Sequence, residues 1–475
     1  MSSLKFGTSG LRGLVSDLEG EPARRYASAF TRTLNDGASG PVTRVCIGRD
    51  LRPSSAAIAR DCAAAISGAG LIAIDCGTLP TPALALHAEA SGGAAIMVTG
   101  SHIPSDRNGL KFYRPTGEIG KADETRILHH LPGGPVACGT GFTADESAAA
   151  TRRYLARYSA SLPRAALRGL RVGVFEHSSV SRDLLGKVLR LHGAEVVPLG
   201  RSDTFVPVDT EAFGDPVFAP MPDLVLQHRL DALVSTDGDG DRPLLMDGQG
   251  RFVRGDVLGL VTARYLGARA IATPVTSNSA IENLGWFERV IRARVGSPFV
   301  IAAMEEAGPG VVGFEANGGV LVGPGIQLRG QDLPALRTRD AMLPLLCFLD
   351  EVARRGTSVG DLVSGLGLKA TASDRLTGVP GSVSASFLHR LDTDEAYAKN
   401  VFQADAPLRR AAVDGVQVWL RSGGMVHFRA SGNAPELRCY AEGATEAEAA
   451  RLLDLALGIA TGALRNEEGP PEGGP

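Results

Sequence analysis

One unit recurs three times in this chain and limits what it can fold into: a strand, a serine-rich turn, a helix and a second strand. The first copy runs from a strand over 44–47 through GRDLRPSS (Gly48–Ser55) to a helix over 56–67 and a strand over 71–75, with Ser54 or Ser55 as the expected N-cap. A second copy has a strand over 171–175, a polar turn from His177 to Asp183, a helix ending at Leu191 and a strand over 195–198. The third is fainter, with a strand over 268–275, the turn TSNS at 276–279, a helix over 281–287 and a strand over 288–292. Alternation of this kind predicts α/β layers. Repetition at about 120 residues means one domain per copy, a period far longer than a solenoid repeat. Ahead of the first copy, 21–34 has helical periodicity with Ala27, Phe30 and Leu34 on one face.

From about Leu368 the pattern changes. Four strands are expected over 369–376, 415–420, 425–430 and 436–441, then a helix over 446–457. The predicted architecture is three tandem related α/β domains (1–145, 146–250, 251–367) and a smaller α+β domain (368–465), with a disordered tail over 466–475.

Bulk properties remove several classes of function. At 475 residues the chain exceeds a single core, and its net charge of -3 gives no electrostatic footprint for nucleic acid. No apolar run reaches the roughly 18–20 residues of a membrane span, and the first residues lack the apolar stretch of a secretory signal. Six cysteines without CxxC spacing argue against a zinc site or a disulfide framework, so reduced thiols in a cytoplasmic enzyme are expected.

Five polar, glycine-rich stretches carry the candidate chemistry. The apolar strand over 94–99 closes on Gly100, which puts Ser101 at the strand's C-terminal rim, where open α/β sheets bind ligands. His102 follows, Pro104 blocks a helix, 105–109 are loop formers, and Lys111 stands ten residues on. Alone, a Ser-His pair in a loop is usually only a turn. Phe6–Gly13 (FGTSGLRG) offers backbone donors and the fixed cation Arg12, and suits an anion or a tight turn. Just past a strand, Asp237, Asp239 and Asp241 alternate with glycine and are followed by Arg242. Hard oxygen donors so concentrated suit a divalent cation, Mg²⁺ more than Ca²⁺. A solvated acidic loop is the alternative, and an EF-hand is excluded by Arg242 at its sixth position and Gly248 at its twelfth. Glu315 and Asn317 in FEANGG suit two sugar hydroxyls or an Asx turn. Arg429, Ser431, Gly432 and Asn433 in RASGNAPE make a donor-rich concavity for a phosphate.

FGTSGLRG, TGSHIP, NGLKFY, DGDGDR, FEANGG and RASGNAPE, in that order, make the chain similar to the α-D-phosphohexomutases over all but its tail. FEANGG followed by GNAPELRCY is most like the phosphomannomutase branch. The resemblance implies four domains around a central cleft, each supplying one loop. It implies that Ser101 carries a phosphoryl group and, with Asp237, Asp239 and Asp241, holds one Mg²⁺. Phosphoserine would donate to mannose 1-phosphate or mannose 6-phosphate. The resulting 1,6-bisphosphate would turn over and return its other phosphate to Ser101. Lys111 matches the general acid/base, its pKa expected to be lowered by neighbouring cations. Arg12 and His102 match residues lining the same site, Arg242 closes the metal loop, and Glu315 and Asn317 match the loop that reads O3 and O4. Arg429, Ser431, Gly432 and Asn433 match the clamp on the distal phosphate. A hexose 1,6-bisphosphate activator, a phosphorylated hexose as the only partner, and a monomer or weak homodimer complete the expectation.

The departures bear on sugar preference. Gly319 stands where several relatives carry a histidine thought to move a proton, Ala430 where proline is common, and Asn433 where threonine is common. Val295-Gly296-Ser297-Pro298 replaces a Gly-His-Ser stretch seen in some relatives. The alternatives are dual action on mannose and glucose phosphates, action on glucosamine phosphate, and a binder of phosphosugars without catalysis. A serine hydrolase is disfavoured because there is no GxSxG elbow.

Overall fold

A computed structural model of the chain describes residues 2–7, 10–34, 41–403, 405–432 and 435–467. They group into two compact units. One holds the chain up to Thr273 with Phe287–Ile291 and Gly296–Gly365, and the other holds Pro274–Trp286, Arg292–Val295 and the chain from Leu366. No described helix is long and apolar enough to cross a membrane.

The first sheet runs Lys5–Phe6, Leu11–Leu14, Arg107–Arg114, Ala94–Val98, Arg44–Arg49, Ile72–Thr78, Ala144–Asp145, with Gly117–Glu118 beside Arg107–Arg114. The second runs Glu195–Arg201, Arg171–His177, Ala232–Thr236, Pro243–Asp247, Phe252–Val253. The third runs Arg289–Ala293, Ala270–Pro274, Val311–Phe314, Val320–Val322, Leu336–Asp340. The repeated unit is therefore present, and each copy adds an element that the sequence pattern hides. In each, a fully buried strand pairs in parallel on one side and turns back as an antiparallel hairpin on the other. These strands are Ala94–Val98, Ala232–Thr236 and Val311–Phe314. Burial on both faces explains why they read as unbroken apolar runs. The hairpin turns are the Ser101, Asp237–Asp241 and Glu315–Gly319 stretches.

The last domain is an antiparallel sheet ordered Ala370–Thr377, Glu436–Gly443, Met425–Ala430, Val416–Leu420, Pro407–Ala411. It packs helices Gly381–Thr393, Glu395–Phe402 and Glu446–Glu467 around a core that includes Phe387, Phe402 and Phe428. Its candidate loop is also a hairpin turn, between Met425–Ala430 and Glu436–Gly443.

Four local expectations need correction. Residues 107–109 are strand rather than loop, because Arg107–Arg114 pairs with Leu11–Leu14 and Ala94–Val98 at once. Gly109 is needed there, since a Cβ would come within 2.3 Å of the Leu11 carbonyl oxygen. In place of the helix over 281–287 stands a single 3₁₀ turn, Ile281–Leu284, ended by Gly285 at φ 62°. Ser54 holds the N-cap position without a capping bond, and Ser55 Oγ instead donates to Asp50 at 2.5 Å. The last helix continues to Glu467, so Asn466 and Glu467 are helical and only the rest of the expected tail lies outside the described residues.

Each unit buries a histidine on a backbone carbonyl. His177 Nε2 lies 2.8 Å from the Thr236 oxygen and His427 Nε2 lies 2.7 Å from the Asp414 oxygen. Burial pushes both imidazoles down to about 4, outweighing the raising effect of the carbonyl bond. Between pH 6.5 and 4 the unfolded chain then binds protons that the folded chain refuses, so stability falls as pH falls through that window. Each site contributes up to roughly 3 kcal/mol of that loss. Urea unfolding should show a midpoint that drops between pH 7 and pH 5, with a shallower drop in His427→Gln. A midpoint indifferent to pH would contradict this account.

Candidate active site

The Ser101 turn is braced from below. Ser101 is fully buried at φ 54°, a left-handed conformation that costs energy for a residue with a Cβ. Its amide donates to Thr99 Oγ1 at 2.8 Å, and Thr99 Oγ1 donates to Asp50 at 2.7 Å. Arg52, paired with Asp50 at 3.1 Å, donates to the carbonyls of Ser101, Ile103, Pro104 and Arg107 at 3.0, 2.5, 2.6 and 3.0 Å. One guanidinium thus satisfies three carbonyls of the turn and the first carbonyl of the strand after it, and stacks 4.0 Å over the Phe205 ring. In sequence Gly48–Ser55 is only a turn before a helix, because the carbonyls that Arg52 holds lie about 50 residues further on.

Ser101 Oγ donates to Asp237 Oδ2 at 2.6 Å and lies 3.2 Å from His102 Nδ1. The hairpin turn after Thr236 brings the three aspartates together, with one oxygen of each within 4.8 Å of the others. Asp237 Oδ1 closes the turn by accepting from the amides of Asp241 and Arg242, both at 3.2 Å. Asp239 Oδ2 accepts from Thr81 Oγ1 at 2.5 Å and Lys111 Nζ at 2.6 Å. Asp241 Oδ2 accepts from Lys111 Nζ at 2.7 Å and Arg339 Nη2 at 2.7 Å.

That leaves Asp239 Oδ1 and Asp241 Oδ1 buried without a hydrogen-bond partner, with Arg242 Nε 3.9 Å from the latter. Two orphaned carboxylate oxygens in a cluster of three hard donors fit a small divalent cation, so these residues could hold a metal ion. The electrostatics agree. Burial and the charges of Asp239 and Asp241 push Asp237 well above the usual carboxylate range. Burial also raises Asp239 and Asp241, but Lys111, and for Asp241 also Arg339, outweigh it and hold both below that range.

Lys111 reaches the cluster from Arg107–Arg114, where it pairs with Met97. The expected lowering of its pKa is not found. Burial lowers it, but Asp239 and Asp241 more than compensate and hold it above its ordinary value. Its nearest charged partners are anions, not the cations expected. His102 is the reverse case: burial, then Arg242 and Arg12, press it well below its ordinary value, so the ring is neutral. Arg12, on Leu11–Leu14, is pushed down to about 10 by burial and by Arg242. Its Nη2 and the Nε of Arg242 are buried without a hydrogen-bond partner, which makes a cationic lining suited to an anion. Arg242 has Asp209 and Glu211 each at 3.7 Å, and Asp209 lies 3.9 Å from His102.

In the Glu315 turn, Glu315 Oε2 accepts from Ser297 Oγ at 2.9 Å and Arg339 Nη1 at 2.7 Å. Asn317 Oδ1 accepts from the Gly319 amide at 3.0 Å, the Asx turn that was the alternative reading. In the second unit, Arg429 Nε donates to Asp414 at 2.8 Å and the Ser431 amide donates to the Glu436 carbonyl at 2.9 Å. Gly432 follows in open space, and Asn433 lies outside the described residues, as do Thr8 and Ser9 of the first motif. Sequence reasoning missed Thr81, Asp50, Arg52, Ser297 and Arg339. Thr81 opens the helix Thr81–Ala90, just past the strand Ile72–Thr78. Arg339, inside a strand, carried no signal.

Known proteins place this geometry in a class. Residues 3–133, 254–367 and 390–457 match the models for phosphoglucomutase/phosphomannomutase alpha/beta/alpha domain I, alpha/beta/alpha domain III and C-terminal domain. The chain belongs to the phosphoglucomutase/phosphomannomutase family, the α-D-phosphohexomutases. It is 47% identical to a phosphomannomutase of Sinorhizobium fredii, over 96% of this chain and 98% of that one. It is 40% identical to a phosphomannomutase of Salmonella muenchen, over 96% and 95%. Its fold matches the crystal structure of a phosphoglucomutase/phosphomannomutase family protein from Burkholderia thailandensis with a TM-score of 0.76, at 21% identity over 96% and 97%.

A divalent cation should raise the melting temperature of the unaltered protein by several degrees, since saturating a site at about 100 times its Kd adds about 2.7 kcal/mol. Asp239→Asn combined with Asp241→Asn should abolish the shift. An equal shift in both proteins would place the cation elsewhere.

Proposed function

We propose that this chain is a phosphomannomutase that interconverts mannose 1-phosphate and mannose 6-phosphate through phosphoserine at Ser101. The observation that carries the reading is the buried Ser101 hydroxyl on Asp237, beside a lysine shared by the other two aspartates. The names of the relatives at 47% and 40% identity support the sugar.

In the forward direction the P–O bond to Ser101 Oγ breaks and a new P–O bond forms to O6 of mannose 1-phosphate. The proton lost by the O6 hydroxyl is matched by the one that Ser101 Oγ gains as its P–O bond breaks, with Lys111 as the carrier at the serine. In the return step the serine proton is given up as O1 takes one, so bonds and protons balance over the cycle. The bound mannose 1,6-bisphosphate then turns over. Its other phosphoryl passes from O1 to Ser101 Oγ, O1 takes up a proton, and mannose 6-phosphate leaves. Phosphoserine and a regenerated active site balance the cycle. Asp237, Asp239 and Asp241, with the phosphoryl oxygens on Ser101, would hold Mg²⁺. Bound there, the ion offsets charge on the transferring group.

Arg12, His102 and Arg242 line the transferring phosphate. Buried nitrogens without a hydrogen bond on Arg12 and Arg242, and a neutral His102, support that assignment. Glu315 and Asn317 take sugar hydroxyls, and Arg429, Ser431, Gly432 and Asn433 take the distal phosphate. The reading carries domain boundaries at 145, 250, 367 and 465. It also carries activation by a hexose 1,6-bisphosphate, a cytoplasmic monomer or weak homodimer, and no nucleic-acid or membrane partner.

The test is mutase turnover with Mg²⁺ and catalytic glucose 1,6-bisphosphate, comparing mannose, glucose and glucosamine 1-phosphates. Mannose 1-phosphate should give the highest kcat/KM, and Ser101→Ala should lose at least about 10³-fold on it. Equal rates on mannose and glucose would make the enzyme dual, and preference for glucosamine would overturn the sugar. Full activity in Ser101→Ala would overturn the phosphoserine.

A further inference from the structure

Arg339 is the largest feature of the site that the proposed mechanism leaves without a task. It lies on Leu336–Asp340 and is 3% exposed. Nη2 donates to Asp241 Oδ2 at 2.7 Å, Nη1 donates to Glu315 Oε2 at 2.7 Å, and Nη1 also meets Ser297 Oγ. Ser297 Oγ in turn donates to the same Glu315 oxygen at 2.9 Å. A single planar fork therefore ties a carboxylate of the aspartate cluster to the carboxylate of the sugar loop. A lysine, as a point charge, cannot hold two carboxylates in fixed relative orientation this way.

Gly319 gives the second observation. A Cβ built there would come 2.7 Å from Arg339 Cδ and 2.8 Å from its Cβ and Cγ. Gly319 does not carry a positive φ, so it is glycine for space rather than for conformation. The Arg339 stem runs across the α-carbon of the loop's last residue while its head grips the loop's first carboxylate. The guanidinium also commits Oδ2 of Asp241 and Oε2 of Glu315, which sets how each carboxylate presents its other oxygen. For Asp241 that other oxygen is the orphaned Oδ1.

We propose that Arg339 is the positioning residue of the reaction. Seated over Gly319, it fixes Glu315 against Asp241, so that a hexose hydroxyl accepted by Glu315 is placed correctly for phosphoryl transfer at Ser101. The proposal rests on the assignment of Glu315 to sugar hydroxyls and deepens it. It also accounts for glycine at 319: the space of a larger residue is already filled.

The test uses the full-length enzyme, mannose 1-phosphate and its analogues lacking the 3- or the 4-hydroxyl. Arg339→Met removes the fork. Gly319→Ala keeps every charge but cannot be accommodated unless Arg339 shifts, and it keeps the test decisive if Arg339→Met does not fold. The unaltered enzyme should lose on the order of 10²-fold or more in kcat/KM on losing the hydroxyl that Glu315 accepts. In both variants KM for mannose 1-phosphate should rise about tenfold or more, and the penalty for the missing hydroxyl should shrink to a few-fold. The double variant should be no worse than Arg339→Met, because both changes disturb one interaction. A merely structural Arg339 would lower the melting temperature and the active fraction but leave KM and the hydroxyl penalty unchanged, and that result overturns the proposal. So would additive losses in the double variant. If the unaltered enzyme turns over no hexose phosphate, the proposed function fails first, and that outcome is distinct from a working mutase indifferent to Arg339.

Discussion

Three carboxylates held out of water at one hairpin turn are the constraint around which the first unit is arranged. Asp237, Asp239 and Asp241 are each 1% exposed or less. Left alone, three buried negative charges within a few ångströms would repel one another and lose their hydration. The fold answers with cations from different strands. Lys111 comes from Arg107–Arg114 and Arg339 from Leu336–Asp340, and both bond the cluster directly. Arg12 and Arg242 stand further back and shift its electrostatics without pairing to it closely. Even so, two carboxylate oxygens are left without a hydrogen bond. A buried charge cluster that its own protein compensates only in part is poised for a ligand that completes it.

The hairpin is the device that gathers these charges. In an α/β unit the turn after a parallel strand usually leads into a helix. Here three such strands turn back instead, and each turn carries polar residues that a helix N-terminus would otherwise spend on capping. A hairpin also returns the chain alongside itself, so a residue ten positions past Ser101 comes back to the same end of the sheet. That return sets Lys111 opposite Met97 and within reach of Asp239 and Asp241. Spacing in sequence that looks arbitrary is thus the arc of a turn plus the first residues of the returning strand.

This explains what the sequence made legible. The parallel strands and most helices follow from apolar periodicity, and the motif loops follow from glycine and polar composition, because both signals are local. The strand at 107–109 was hidden because Asn108 and Gly109 look like turn residues. They are in a strand because neighbours on both sides impose it, and because only glycine fits against the Leu11 carbonyl. The short helix expected at 281–287 failed for the opposite reason: Gly285 ends it after one turn. Arg52 and Arg339 were invisible for a third reason. Each is a single arginine whose importance lies in partners far along the chain, and no local pattern distinguishes it from a surface cation. The direction in which the Lys111 pKa shifts is hidden on the same ground, since the carboxylates that raise it arrive from another module.

Arg52 and Arg339 also show how one side chain can hold a loop that its own sequence does not. A turn bearing Ser101 at φ 54° is not the lowest-energy conformation for that residue. It persists because Arg52 satisfies four carbonyls at once and is neutralised by Asp50 beneath it. Both partners are fully buried, so breaking the pair leaves an uncompensated charge, a cost of about 3–5 kcal/mol that exceeds the strain being held. The Glu315 turn follows the same scheme at its own rim, with Arg339 as the fork and Asp241 and Glu315 as the anchored groups. Two turns are therefore held by buried arginines, one acting on backbone carbonyls and the other on carboxylates. Rigid presentation of Ser101 and Glu315 follows from that division of labour, and phosphoryl transfer, which depends on placement and charge rather than on covalent help from the protein, is the chemistry such a site is suited to.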